Sequence, residues 1–360
     1  MKLGIAVAAL LTLIACGGST GISGSQAARA YSGTASVGDF LTISLDPAAQ
    51  TLSYKNYTNG EQATVAYTAS NGTYTFIDPT ENLISGYEVP NYALLIEADK
   101  AGPSQDTPAL ITAVEAAPIS LASLEGKQYN YLQFRTSSGG VEAGSVVIDG
   151  QGNATTSSYW PYGALQQPAD PFGSSSFSGS QIAADPSGNF LTLTENGSTD
   201  YIFGTSTGVF VVDTPNGAIL GFQKAASKNF DASFAGTYSA VYYQKTNASV
   251  GQNDQESGTP SLGHASIVVD ASGTVTVTDA QSNVLLAAAL SPVADASYLY
   301  GAQGELADPC YGLFTFRVMH GQAPQDVFVT FLNNAIMFGS FSPVSQSGSG
   351  YEYLYGVGLR

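Results

Sequence analysis

The sequence predicts an all-β protein built from two to three tandem antiparallel modules, each a barrel-like or sandwich arrangement of about eight short strands. Three observations carry this. The first is composition: 40 Gly and 21 Tyr in 360 residues, only 11% charged side chains, and few stretches of the Ala, Glu, Lys, Leu and Arg that long helices favour. The second is a set of Asp-containing turns between apolar runs. The third is a plan that recurs along the chain.

The turns follow Ile43-Ser44-Leu45-Asp46, Val146-Val147-Ile148-Asp149 and Ile267-Val268-Val269-Asp270, with a further one at Asp185-Pro186-Ser187-Gly188. Asp at the first turn position accepts from free backbone N–H groups, and a Gly three residues later adopts positive φ and lets two strands part with the right twist. Calcium is the alternative for such aspartates, but each turn has one carboxylate where a calcium loop needs several.

The recurring plan has three openings, Tyr31-Ser32-Gly33-Thr34, Leu124-Glu125-Gly126-Lys127 and Phe234-Ala235-Gly236-Thr237. The second and third segments then run in parallel. Val209-Phe210-Val211-Val212-Asp213 and Ala218-Ile219-Leu220-Gly221-Phe222 match Val327-Phe328-Val329-Thr330-Phe331 and Ala335-Ile336-Met337-Phe338-Gly339. The first segment fits the plan less well. Module boundaries are therefore expected at 31–122, 123–232 and 233–360, with breaks at Pro118 to Ser123 and Ala225 to Ser233. A propeller of repeated four-stranded units is the competing architecture. The polar stretch Thr246 to Gly263 is expected to be a surface loop.

The N-terminal residues specify an address. Lys2 precedes the uncharged run Leu3 to Ala15, the layout of a secretory signal at residues 1–15 and too short for the about 20 apolar residues that span a bilayer. The run ends in Leu13-Ile14-Ala15-Cys16, which resembles the lipobox of bacterial lipoproteins. The resemblance implies that Cys16 receives a diacylglycerol, that residues 1–15 are removed and that the new amino group is acylated. By analogy with lipoprotein sorting in Gram-negative bacteria, Gly17 in place of Asp points to the outer membrane. Residues 16–30 then form a lipidated Cys and a flexible Gly/Ser tether. The tether also matches G-x-S-x-G, but a nucleophile elbow needs a strand before its Ser and a helix after it, and neither is expected here.

Charge and cysteine content narrow the function classes. Acids outnumber bases 28 to 11, and no segment is basic, so nothing is available to neutralise phosphates and nucleic acid is not an expected partner. With Cys16 lipidated, Cys310 has no partner in the chain, which predicts a disulfide-free fold and a buried, inert thiol. His264 and His320 stand alone, without metal spacing, so no metal or cofactor is expected, and both are expected to be satisfied sheet-edge residues. The best ligand-binding candidates are Tyr159, Trp160 and Tyr162, beside the single Trp of the chain, where rigid aromatic faces suit a glycan or a partner protein. The alternating tyrosines Tyr351, Tyr353 and Tyr355 are expected to pack on the last sheet.

These features favour a lipid-anchored, non-enzymatic binding, adhesion or envelope-assembly module, partnered by the membrane through its lipid and by a glycan or envelope protein. An anchored hydrolase of glycans or peptides is the alternative, using dispersed carboxylates or a triad. A membrane-embedded barrel is disfavoured, because its strands would alternate apolar and polar over about 10 residues and these are mostly shorter. Replacing Cys16 by Ser should abolish incorporation of a palmitate analogue in the expressing cell; label persisting in Cys16→Ser would remove the lipoprotein assignment.

Overall fold

A computed structural model describes residues 27–360 apart from 71, 78–82, 102–106, 136–140, 160–172, 196, 216, 251–255, 280, 294–309, 321–322 and 344–350. The protein is all-β, with three antiparallel meanders rolled up side by side.

The first meander comprises β1 (Arg29–Ala35), β2 (Phe40–Asp46), β3 (Thr51–Asn56), β4 (Gln62–Ser70), β5 (Thr73–Ile77), β6 (Leu83–Val89), β7 (Ala93–Ala101) and β8 (Thr107–Glu115). It is a closed barrel, with β1 pairing β8 from Tyr31↔Glu115 to Ala35↔Ile111. The segment expected to fit the common plan least well is thus the one that closes completely.

The second meander comprises β9 (Gln128–Arg135), β10 (Val141–Ile148), β11 (Ala154–Tyr159), β12 (Gly173–Phe177), β13 (Ile182–Ala184), β14 (Leu191–Glu195), β15 (Ser198–Gly204), β16 (Val209–Thr214) and β17 (Gly217–Gln223). The third comprises β18 (Gly236–Val250), β19 (Glu256–Val269), β20 (Thr274–Thr278), β21 (Val284–Ala289), β22 (Ser291–Pro292), β23 (Leu313–His320), β24 (Ala323–Leu332), β25 (Ala335–Pro343) and β26 (Tyr351–Leu359). In both, the first strand pairs with the last, β9 with β17 and β18 with β26. The sheet breaks between two consecutive strands, β12 and β13 or β21 and β22. Each therefore has nine strands rather than eight. The geometry is a rolled meander in every case, not a sandwich or a propeller.

The turns form as their residues dictate. Asp149 Oδ1 accepts from the backbone N–H groups of Gln151 and Asn153, both at 2.8 Å, and Asp270 Oδ1 from those of Ser272 and Thr274 at 2.8 and 2.9 Å. Gly273 closes the second of these turns at φ +83°, a conformation that favours glycine. Side-chain hydrogen bonds from Asn153 to Asp149 and from Ser272 to Asp270, with the backbone N–H groups behind them, hold both carboxyls below their ordinary pKa. Between the first two barrels the chain turns through a one-turn helix, α1 (Leu121–Leu124), in which Ser120 and Ser123 cap each other.

Thr246 to Gly263 does not form a surface loop. Most of it extends the β18–β19 hairpin: Lys245↔Pro260 and Thr246↔Thr259 carry the ladder to a bulge, and Ser249↔Ser257 and Val250↔Glu256 continue it beyond. Backbone hydrogen bonding carries this extension, so no apolar alternation marks it in the sequence.

Four apolar clusters hold the molecule together. Three are barrel interiors, around Tyr31, Leu94 and Phe76 in the first barrel, Tyr129, Phe210 and Val212 in the second, and Tyr238, Phe314 and Val329 in the third. The fourth lies outside all three barrels and joins them, with Phe40, Leu95 and Leu110 from the first, Leu132, Phe134 and Val211 from the second, and Val241, Phe328 and Met337 from the third. The strands that close each barrel consequently bury both faces. On β9, Tyr129 and Tyr131 point inward while Leu132 and Phe134 point to the common core; on β16, Phe210 and Val212 alternate with Val209 and Val211. This is why β16 opens as a continuous apolar run, Val209 to Val212, rather than an alternating one. β26 shows the opposite economy of volume. Tyr355 and Val357 face the common core, while a Cβ at Gly356 would meet the Phe338 ring at 2.3 Å.

The barrels share one polarity. The first ends where the Ala116 N–H donates to the Ala30 carbonyl, and near that end the Tyr92 hydroxyl donates to the Leu332 carbonyl at the β24–β25 turn and the Ala225 N–H to the Tyr311 carbonyl. Gly38, at the opposite end of the first barrel, abuts Pro215 beside the start of β17. The chain thus reaches the first barrel at Arg29, passes between barrels at 116–127 and 224–235, and finishes at Arg360 on one common end. The far ends of β9, β11, β18 and β25 point the other way. The Arg360 guanidinium fastens the near end of the third barrel by donating to the carbonyls of Ser233, Ala235 and Asn333.

Phe134 is fully buried where the three barrels meet, 5.1 Å from the Tyr243 ring and 4.9 Å from Tyr355. Phe134→Ala should lower unfolding free energy by about 3–5 kcal/mol, the usual cost of removing a core Phe, whereas Leu285→Ala, at 57% exposure, should change it by less than about 0.5 kcal/mol. Equal effects in denaturant titrations would mean that the common core does not form in solution.

Candidate functional site

Of the residues singled out by sequence, Cys16, Trp160 and Tyr162 lie outside the described residues. Tyr159 is the last residue of β11 and pairs with Ala143, so the chain leaves the sheet there at the far end. Tyr355 is buried in the common core, and Cys310 is buried as well. The charged groups that the fold brings together are others, and each breaks an otherwise apolar or hydroxyl-rich strand.

Arg29 opens β1 and enters the first barrel. Its Nε and Nη2 donate to Glu88 Oε1 and Oε2 at 2.6 and 2.7 Å, while the hydroxyls of Tyr31 and Tyr74 donate to the same two oxygens. The Glu88 carboxylate thus accepts four hydrogen bonds and is saturated, which suits a buried ion. Burial and the bond to Glu88 push both phenols well above their ordinary pKa, and Glu88 pushes the Arg29 guanidinium up. This cluster has no vacant position for chemistry. It fixes the strand through which the chain joins the barrel.

Asp213 ends the apolar run of β16 and faces the first barrel. It is 2% exposed, and the Thr34 hydroxyl of β1 donates to its Oδ1. Burial raises its pKa to about 8, the Thr34 bond opposes this, and the carboxylates of Asp39 and Asp200 push in the same direction as burial. Asp39 itself is raised, chiefly by burial. At neutral pH the Asp213 carboxyl is therefore protonated.

His264 lies within β19, paired with Val241 of β18 and short of the β20 pairing that starts at Ser266, and its imidazole bridges to the first barrel. Nε2 is 2.9 Å from Glu97 Oε1 on β7, and Nδ1 is 2.9 Å from the Tyr87 hydroxyl on β6. The expectation of a satisfied histidine holds, but its partners come from another module. Sequence position alone does not reveal them. The usable signal is Glu97 itself, one acid in the run Ala93-Leu94-Leu95-Ile96-Glu97-Ala98, just as Asp213 is one acid in its own. A charge inside a strand with two buried faces marks a place where another element meets it.

Among the described residues, no group of three or more His, Cys, Asp or Glu side chains is arranged to hold a metal ion. Asp326 is clamped by Arg317, with Nε and Nη2 at 2.7 and 2.8 Å from its two oxygens. No described helix is long and apolar enough to cross a membrane.

The fold defines an assembly of three β-barrel modules around a common core. No family model and no curated protein matches the chain. Solved structures with some likeness include the isotype 1 transferrin binding protein B of serogroup B Neisseria meningitidis, at 10% identity and a TM-score of 0.23, over 90% of this chain and 66% of that one. A double mutant of transferrin binding protein B from Haemophilus parasuis Hp5 gives 9% identity and a TM-score of 0.26, over 89% and 65%. The chain thus spans about two thirds of the length of these proteins.

The raised Asp213 pKa sets a pH dependence. The folded state holds a proton that the unfolded chain, with an ordinary Asp pKa, releases above about pH 4, so this residue lowers stability as pH rises towards 8, by at most about 1.4 kcal/mol per unit. Asp213→Asn keeps an acceptor for Thr34 and removes the proton, so its stability relative to the native chain should climb from pH 5 to pH 8. Parallel pH profiles for the two proteins would show that Asp213 is ionised in the fold.

Proposed function

We propose that the chain is a lipid-anchored envelope protein, held through Cys16, that binds a macromolecular partner at the end of its three-barrel body opposite Arg29. The shared polarity of the barrels supports this reading. Arg29, where the tether joins the body, lies on the end that carries both inter-barrel connections, and the strand ends that point away from it belong to all three barrels. One face thus looks towards the bilayer and the other away from it. The interiors hold buried Tyr, Phe and Leu side chains, which favours recognition on the outer surface over capture of a small molecule inside a barrel.

The aromatic residues Tyr159, Trp160 and Tyr162 are the contact residues of this reading, because the chain leaves β11 at the outward end. Their partner is a glycan or an envelope protein. Rigid aromatic faces bury a large area at small entropic cost and suit both. With Gly17 after the lipidated cysteine, the body belongs on the outer membrane of a Gram-negative envelope.

The direct measurement uses labelled protein lacking residues 1–16, titrated onto isolated cell-wall glycan and onto immobilised envelope proteins. Trp160→Ala should weaken binding to one of them about tenfold or more, the effect of losing a contact worth at least about 1.4 kcal/mol. Unchanged affinity for every ligand that the native body binds would remove the aromatic segment from the site.

A further inference from the structure

The contact of His264 with the first barrel has the form of a switchable ion pair. The Glu97 side chain is 6% exposed and has two partners, the Ser85 hydroxyl at 2.5 Å on β6 and His264 Nε2 on β19. Ser85 belongs to its own barrel and carries no charge. Among the described residues, the countercharge comes from the third barrel, through a side chain that titrates near neutrality. The His264 side chain is 45% exposed, so solvent protons reach it.

Among the described side chains, the elements around the ring present few other ionisable groups. β6 contributes Tyr87 and β7 contributes Glu97. β8 turns Leu110, Thr112 and Val114 to this side, and β18 places Val241 directly opposite His264. We propose that Tyr87, His264 and Glu97 form a proton-operated latch between the first and third barrels, tight when the imidazole is charged and looser when it is neutral.

The chemistry of the ring supports this. A neutral imidazole protonated on Nε2 donates to Glu97 and accepts from Tyr87, so deprotonation costs no hydrogen bond at the carboxylate. It removes the positive charge that faces a buried anion. The bond to Glu97, and the charge behind it, raise the His264 pKa against the opposing effect of burial. The sign follows. The extra cohesion is complete below the ordinary histidine value of about 6.5 and is lost as pH rises through the higher value in the closed latch. The common apolar core keeps the barrels together throughout, so the latch acts on local parting of β19 from β6 and β7.

The chain has two histidines, so an NMR titration of the intact soluble body resolves both, and His320→Gln assigns them. His264 should titrate above 6.5, and Glu97→Gln should bring it to 6.5 or below. A native value at or below 6.5 overturns the proposal. A double-mutant cycle of Glu97→Gln and His264→Gln, read from unfolding equilibria, should show coupling of at least fivefold at pH 5.5 that shrinks several-fold at pH 8.5. Equal coupling at the two pH values also overturns it. The native titration needs no variant to fold, and neither result depends on what the outer face binds.

Discussion

The structure depends on one constraint: the strands that close each barrel must bury both of their faces. An isolated antiparallel barrel needs one apolar face per strand, turned inward. Here β7 and β8, β9, β16 and β17, and β18 and β24 to β26 carry a second apolar row outward, and those rows meet in the common core. Each fully buried Leu, Val or Phe contributes about 1.5–3 kcal/mol, so exposing this surface on a separated barrel would be costly. The three barrels are thus one cooperative body by composition, without a disulfide among the described residues.

The same constraint explains where the charges sit. A strand buried on both sides has no solvent face for an ion, so Asp213 and Glu97 can occur only where a neighbouring barrel answers them. They are answered differently. Glu97 meets a group that can be positive, whereas Asp213 meets a hydroxyl and two distant acids and keeps its proton. One contact strengthens as pH falls through the histidine range, and the other weakens as pH rises towards 8. Both favour the assembled body on the acid side of neutrality.

Much of this was legible in the chain. Runs such as Val209 to Asp213 and Ala218 to Phe222 announced strands, and the Asp turns announced their reversals. The first barrel was harder to recognise because β4 is exposed at nearly every position, which erases the alternation that reveals a barrel wall. The polar extension of β18 and β19 is illegible in the sequence for a related reason, since a hydrogen-bonded ladder that runs past the apolar core leaves no hydrophobic trace. Partnerships across barrels, such as His264 with Glu97 and Tyr87, separate residues by well over a hundred positions, and no local pattern links them. The anchor proposed at Cys16 and the contact role proposed for Tyr159, Trp160 and Tyr162 rest on short motifs rather than on packing.

The breaks in the second and third sheets fall between β12 and β13 and between β21 and β22, and no described residue of β11 to β13 or β20 to β22 belongs to the common core. The closing pairs sit at the centre and the seams at the periphery. A seam so placed is a free margin: a strand can be gained, shortened or replaced there while the register of the inner strands stays as it is. Two of the three walls, those of nine strands, have such a margin, and the closed wall of eight has none.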